Sequence, residues 1–433
     1  MGVKKGFSFI VLISFILLNS GCKKNPTEPV ETLALSVEDV SCTEAWVEIT
    51  NSNFQNPSSL TLFVDDKPNQ NITLVSRDTI LYIDSLLPNQ SYKIKAAFAS
   101  NNRQQTTNEV IAKTLDTTSH NFTWQTFTFG EGSSSLLYDV AIIDENNIWA
   151  VGEIHMKDSL GNPDPNDYNV AHWDGTNWEI KRIYFPTVCG QTSLTPYPAK
   201  AIFAFDDGQI WISSSGDKIA ILKNGVQVNQ FCLPWSFPIN KMWGTSSSDL
   251  YAVGNSGNIA HYDGKSWQKI ESGTATDIND IWGSTNSLTN ENNIYCAVSN
   301  VFEPGDYKIL SINKNDRVDS LKWNTGRRVH SVWTNNGFII YAAGGGVFEN
   351  KRGYWQEITD IPLYYTRKIR GNGLNDIYAV GDFGIFTHYN GKNWKVYDQL
   401  TMNGVYNSVA VNNNLVVATG YANNQAIIVV GRR

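Results

Sequence analysis

The chain has 433 residues, of which 41% are hydrophobic, 12% aromatic and 17% charged, and its formal net charge is −7. That acidic balance argues against nucleic acid as a partner, because phosphate binding needs a concentrated basic surface. High aromatic and low charged content suits a β-rich secreted protein, and five cysteines without a CxxC pair argue against a zinc site.

The N-terminus reads as a targeting segment. Lys4 and Lys5 precede the apolar run FSFIVLISFILL (7–18), which is too short to span a bilayer as a permanent helix. NSGC (19–22) follows. This ending resembles a bacterial lipoprotein signal, with Ser20, Gly21 and Cys22 matching and Asn19 standing where leucine is usual. The resemblance implies cleavage after residue 21, lipidation of Cys22 and anchoring in the cell envelope, at an outer membrane facing the periplasm or the cell surface. Loss of Lys4 and Lys5 would take the net charge from −7 to −9. Residues 22–31, with KKNPTEPVE, form a polar tether.

Residues 32–115 alternate in AWVEIT (45–50), LTLFVDD (60–66), TILYID (79–84), YKIKAAFA (92–99) and NEVIAKTL (108–115), short strands separated by turns that predict a sandwich. LLPNQSY (86–92) resembles the tyrosine corner of fibronectin type III domains, and Trp46 resembles that family's buried core tryptophan. The resemblance implies a spacer. Residues 116–121 are a linker.

From 122 to 433 the chain repeats. The second residue of strands like IWAVG and LYAVG falls at Trp149, Trp211, Tyr251, Tyr295, Tyr341, Tyr378 and, degenerately, Val417. Such spacing predicts an all-β ring of seven four-stranded units, a β-propeller. The last unit supplies three strands, and FTWQTFTFGEG (122–132) matches the outer strand of other repeats, so the strand around Trp124 is predicted to complete it. Closure of this kind removes free sheet edges. The repeat WGTSSSDLYAVGNSGNIAHYDGKSW resembles those of many secreted bacterial propellers, a resemblance specific for fold and not for activity.

HWDGTNW (172–178), HYDGKSW (261–267) and HYNGKNW (388–394) are versions of one heptapeptide. Asp-Gly and Asn-Gly are strong hairpin pairs, and the tryptophan opens the outer strand. His172, His261 and His388 belong to different units, so they are predicted to be structural and to share no metal or substrate. The turn somewhat resembles the Asp-box of bacterial neuraminidase repeats, itself a structural turn.

Residues that break the repeat are the candidates for function. EIHMKDSLGNPDPNDYN (153–169) carries Asp158, Asp164 and Asp167, a weak calcium set without EF-hand spacing that reads better as a solvated loop. YFPTVCGQTSLTPYPA (184–199), CLPWSFP (232–238) and IPLYYTRK (361–368) place Tyr184, Phe185, Tyr197, Trp235, Phe237, Tyr364 and Tyr365 in loops of one face, with Arg367 beside them. Such a surface suits a protein or glycan ligand, Trp235 and Tyr364 above all, or simply covers the sheet ends. Cys189 and Cys232 fall in loops and either pair or stay free. Ala141, Phe203, Trp243, Trp282, Trp333, Arg370 and Val409 are predicted to line the axis, where Arg370 would hold a ligand anion or a buried carboxylate.

A neuraminidase-like glycosidase would need three arginines on successive inner strands, and Arg182, Arg327, Arg328, Arg367 and Arg370 are not so spaced. No nucleophile elbow, HExxH, phosphate loop or dinucleotide fingerprint occurs. The expectation is a lipid-anchored binding protein without cofactor, with a structural scaffold in an envelope or secretion complex as the alternative and a neuraminidase-like glycosidase as the least favoured one. Oligomeric state is not legible.

Overall fold

The computed structural model describes residues 33–433 except 53, 55–57, 101–102, 132–133, 286–291 and 301–304. The signal, Cys22 and the tether lie outside the described residues. Among those described, no helix is long and apolar enough to cross a membrane.

Strands between Leu33 and Lys113 form two antiparallel sheets. In one, Ala45–Asn51 lies between Leu33–Val40 and Asp78–Ile83. In the other, the order is Lys67–Leu74, Ser58–Val64 and Ser91–Ser100, with Arg103–Thr106 and Val110–Lys113 both pairing the last. Side chains alternate along a strand, so Ala45, Val47 and Ile49 face the apolar core between the sheets, with Leu62, Leu74 and Ile94. Tyr92 ties the far corner, its hydroxyl accepting the Leu87 N–H at 2.8 Å.

The same alternation overturns one expectation. Trp46 points away from the sandwich core and packs on Phe338, 5.5 Å between centroids and 9° between planes, in a cluster with Trp333, Tyr341 and Ile377. It is an interdomain anchor and not a core tryptophan.

From Thr123 onward the structure is a β-propeller of four-stranded antiparallel sheets, seven among the described residues. Their first strands are Leu136–Asp144, Ala199–Ala204, Ile239–Ser246, Ile278–Thr285, Val329–Thr334, Thr366–Gly373 and Gly404–Asn412. Each touches the next and the seventh touches the first, so these are the inner strands of a closed ring. The seventh sheet takes its outer strand, Thr123–Phe129, from the far end of the ring sequence, pairing Trp124 with Gly431. Every repeat marker lies on a second strand, from Trp149 on Asn147–Ile154 to Val417 on Leu415–Ala422. Aliphatic cores fill the wedges between adjacent sheets, as where Ile239 and Met242 meet Ala201 and Trp211.

The sandwich docks on turns of the fifth and sixth sheets. Glu44 accepts the Tyr82 hydroxyl at 3.0 Å and pairs with Lys351 at 2.7 Å. The Asn375 amide donates to Asp116 O at 2.8 Å, Asn336 bonds Asp39, and Arg352 lies over the Tyr82 ring. Gly391 leaves room for Cys42, since a β-carbon there would lie 2.3 Å from the Cys42 sulfur. Burial pushes that thiol up to about 11.

Candidate functional site

Each heptapeptide histidine bonds within its own sheet through Nε2, while Nδ1 of His261 reaches Asp316 of the fourth sheet and Nδ1 of His388 meets His120 of the linker. Nε2 of His172, His261 and His388 meets Asn147, Asp249 and Asp376 at 3.1, 2.7 and 2.9 Å, two residues before the marker aromatic. Each imidazole lies close against that aromatic, at 4.1 Å from Trp149, 4.0 Å from Tyr251 and 4.4 Å from Tyr378. Asp174, Asp263 and Asn390 each accept two backbone N–H groups of the following turn. These histidines hold second strand to third and are not brought together.

A different repeat feature builds the candidate site. Near its start each inner strand slips register against its neighbour. A bulge leaves one residue without a ladder partner and re-aims its side chain. The seven bulged residues are Tyr138, Lys200, Asn240, Asn279, His330, Arg367 and Asn407, and all seven line one cavity of about 360 Å³ at the mouth of the central channel. The glycine ending the AVG marker sits opposite. A β-carbon on Gly152 would lie 2.1 Å from Leu136 O, and on Gly381 2.2 Å from Tyr365 O. The motif therefore encodes close approach of the bulged strand.

The ring residues differ in what holds them. Amides of Asn240, Asn279 and Asn407 donate to the backbone oxygens of Ile278, Ser299 and Leu137. Arg367 pairs with Asp382 at 2.6 Å. Lys200 has its ammonium 3.9 Å from the centroid of the Tyr138 ring. Nδ1 of His330 is buried and, among the described residues, has no hydrogen-bond partner.

One residue further along the inner strands is a buried layer that is polar on every strand but the second, where Ala201 stands. Asp139 pairs with Lys241 at 2.5 Å and accepts from Ser408 and from the Ile202 N–H. Asp280 takes Lys368 at 3.0 Å, Arg370 in bidentate fashion at 2.6 and 2.9 Å, and Ser331. Burial disfavours the Asp280 carboxylate, but Arg370 and Lys368 outweigh it and hold the group well below the usual range. Burial lowers Lys200 and Lys368 to about 8. Burial and the neighbouring Lys368 and Arg367 lower His330 to about 3, so its imidazole is neutral at pH 7. Around the cavity and the layer beneath it stand Lys200, Lys241, Arg367, Lys368 and Arg370 against Asp139, Asp277, Asp280 and Asp382, an excess of one positive charge.

The residues singled out by sequence are dispersed. Phe185 and Phe237 are 0% and 4% exposed and belong to cores, which corrects their reading as ligand contacts. Trp235 packs on the core between the second and third sheets, and the Tyr197 hydroxyl donates to Thr187 O. Tyr184 is exposed, its backbone exchanging hydrogen bonds with Gln227 on an outer strand. Tyr364 is 43% exposed and stands 5.3 Å from Phe383, which is 60% exposed at φ +58°. Tyr365 is half-buried beside His330. Trp235 and Tyr364 therefore sit on different sheets. Arg370 faces a smaller chamber of about 160 Å³ with Ala141, Phe203, Trp282 and Val409, while its Nη1 and Nη2 are held by Asp280, Ser331 and the carbonyls of Val332 and Ile369. Trp243 and Trp333 turn into the cores between sheets.

The acidic loop does not converge either. Asp158 accepts the N–H groups of Leu160 and Asn162, Asp164 pairs with Arg182 at 2.6 Å, and Asp167 bonds His155 at 2.7 Å. The three carboxylates have separate protein partners, which corrects the calcium set; Glu153, His155 and Asp167 do lie together. Cys189 and Cys232 form a disulfide, pinning the long link to the second sheet's outer strand.

Of the ring, only Arg367 was among the sequence candidates, although a signal for others exists. Tyr138, Lys200, Asn240, His330 and Arg367 each stand eleven residues before a marker aromatic. Nothing in composition marks those positions, because bulged residues need no shared side-chain type.

No protein-family model matches the chain, and no curated protein matches it. Its structure is similar to one described as YCF48 bound to D1 peptide, with a TM-score of 0.53 at 12% identity over 72% of this chain and 97% of that one. The WD40 β-propeller domain of Doa1 gives a TM-score of 0.49 at 13% identity over the same shares. At these identities the likeness is one of fold, and the fold is the β-propeller.

Proposed function

We propose that the protein is a lipid-anchored envelope protein in which a fibronectin type III-like sandwich carries a seven-bladed propeller that binds a protein partner at the channel mouth. The observation that carries the reading is the ring of seven bulged residues around a polar, cation-rich cavity on the face opposite the docked sandwich. The strand order and the Tyr92 corner support the sandwich assignment, and the seven sheets support the blade count. A structural neighbour carries a bound peptide, which supports a protein ligand. Leu363, Tyr364 and Phe383 add exposed apolar surface next to Asp382, the partner of Arg367. A left-handed φ on an exposed phenylalanine is costly and recurs at binding sites.

Binding is favoured over catalysis because Arg182, Arg367 and Arg370 each hold a different carboxylate, on Asp164, Asp382 and Asp280, and so do not grip one substrate. A photo-cross-linker placed at Asn407 in membranes should capture a discrete protein, and the adduct should be lost with Phe383→Asp. Capture unchanged by Phe383→Asp, or no adduct together with a specific hit on a glycan array, would replace the protein reading.

A further inference from the structure

We propose that the mouth cavity is an oxyanion site that receives a carboxylate of the partner between Lys200 and His330. The inference rests on the mouth being the recognition face, and it names the chemistry recognised there.

Three observations converge. Among the described residues no carboxylate is bound to Lys200, which rests on an aromatic ring, although the neighbouring Lys241 and Lys368 are each paired. A partly desolvated ammonium without an anion is costly, and the structure places the half-buried Lys200 on the wall of a cavity that a ligand can reach. His330 faces the same cavity with Nδ1 lacking any partner among the described residues. Buried polar atoms are nearly always satisfied, so an orphan on a cavity wall marks a position that a ligand atom or water completes. Last, the excess around the cavity is one positive charge. A monoanionic carboxylate neutralises it, whereas a phosphate dianion would leave a net negative cluster in a poorly solvated space.

The titratable and charged groups lining the cavity with Lys200 are Tyr138 and Asp139 from the first inner strand, Lys241 from the third, Asp277 just before the fourth, His330 from the fifth, and Arg367 and Lys368 from the sixth. Of the two anions, Asp139 is saturated by Lys241, Ser408 and Ile202, and Asp277 accepts the Ser256 N–H. Burial and the nearby Arg367 hold Lys200 at about 8. The site is therefore charged at neutral pH and discharges as pH rises through about 8, so carboxylate affinity should fall across that range.

The test uses the whole chain in detergent with histidine labelled at Cε1, which gives six resonances to follow. Acetate, malonate, inorganic phosphate and chloride are titrated at fixed ionic strength, along with two peptides identical except for a free or amidated C-terminus. The expected result is saturable displacement of the His330 resonance by carboxylates. The free peptide should bind at least tenfold more tightly than the amide. Lys200→Met should weaken binding tenfold or more and Lys200→Arg should restore it, while Lys265→Met on an exposed turn changes nothing. Phosphate binding more tightly than the carboxylates would overturn the partner carboxylate as source. A His330 resonance indifferent to every anion would overturn the site itself, and cross-linking at Asn407 then judges the protein-binding face separately. The wild-type titration keeps the inference falsifiable even if Lys200→Met fails to fold.

Discussion

The ring presents two ends that are assembled from the same strands and finished in different ways. At one end the first-to-second and third-to-fourth strand turns of the fifth and sixth sheets receive the sandwich, and the groups there meet partners across the junction: Glu44 with Lys351, Asp116 with Asn375, Trp46 with Phe338. At the other end the bulged residues project into a cavity, and Lys200 and His330 find no such partner among the described residues. Satisfied groups stabilise; unsatisfied ones are retained where something outside the molecule completes them. The difference orients the molecule, with the sandwich behind and the open mouth in front.

The comparison can be broken most severely from beneath the mouth. Asp280→Ala leaves Lys368 and Arg370 buried without an anion, and removing one partner of a buried pair costs about 3–5 kcal/mol. Chemical denaturation should show that loss; an unchanged midpoint would mean that the layer is hydrated and not a structural core. Trp46→Ala should cost about 3 kcal/mol, as deletion of a buried tryptophan does, but confined to the junction. Calorimetry should then resolve separate transitions for sandwich and ring, with the ring's own midpoint little altered.

Gly381→Ala probes the mouth without touching the junction. A β-carbon 2.2 Å from Tyr365 O forces the sixth bulge to move, at about 1–3 kcal/mol, and Arg367 with it. Partner cross-linking should fall while sandwich docking persists. Acid sharpens the contrast through Asp376. Burial opposes its ionisation, yet His388 and Arg433 outweigh that and hold it at about 2. Its folded pKa is depressed, so its contribution is full above the unfolded value of about 3.9 and is lost as pH falls toward 2. His388, lowered chiefly by burial, takes up a proton on unfolding below about 6.5, so stability should begin to decline there. Asp376→Asn should flatten the acid limb of a stability-against-pH curve. The smallest effect is expected from Arg352→Ala, which removes one cation–π contact to Tyr82 at the junction, about 0.5 kcal/mol.

Much of the architecture was legible because it is periodic. The marker aromatics fell on second strands, the heptapeptide histidines proved to hold strands together, and FTWQTFTFGEG closed the seventh sheet. Pairing across that last sheet joins Ala410, not Val409, to Val417, one step from the register that a fixed spacing implied. Less was legible wherever a residue's role depends on what faces it. Trp46 alternates with core residues, and only the docked ring explains its size. Arg370 was visible as the one axial charge, but Asp280, ninety residues earlier, was not marked as its partner. Phe185 and Phe237 stood in loop-like sequence and are buried because the disulfide-pinned link folds back over the second sheet. The mouth ring apart from Arg367 was missed because a bulge is a property of backbone pairing, with the small residue opposite as its trace.

The seventh sheet sets an order of events in time. Its outer strand, Thr123–Phe129, precedes every other strand of the ring, and its partner, Gln425–Arg432, follows them all. The six intervening sheets can each form from neighbouring segments, but this pairing waits for the last of them and bears the longest loop closure in the fold. Until it forms, the first-made strand has an unpaired edge and the mouth does not exist. A cell making this protein therefore handles an open arc with two exposed edges, and the ring around the mouth is completed in a single late step.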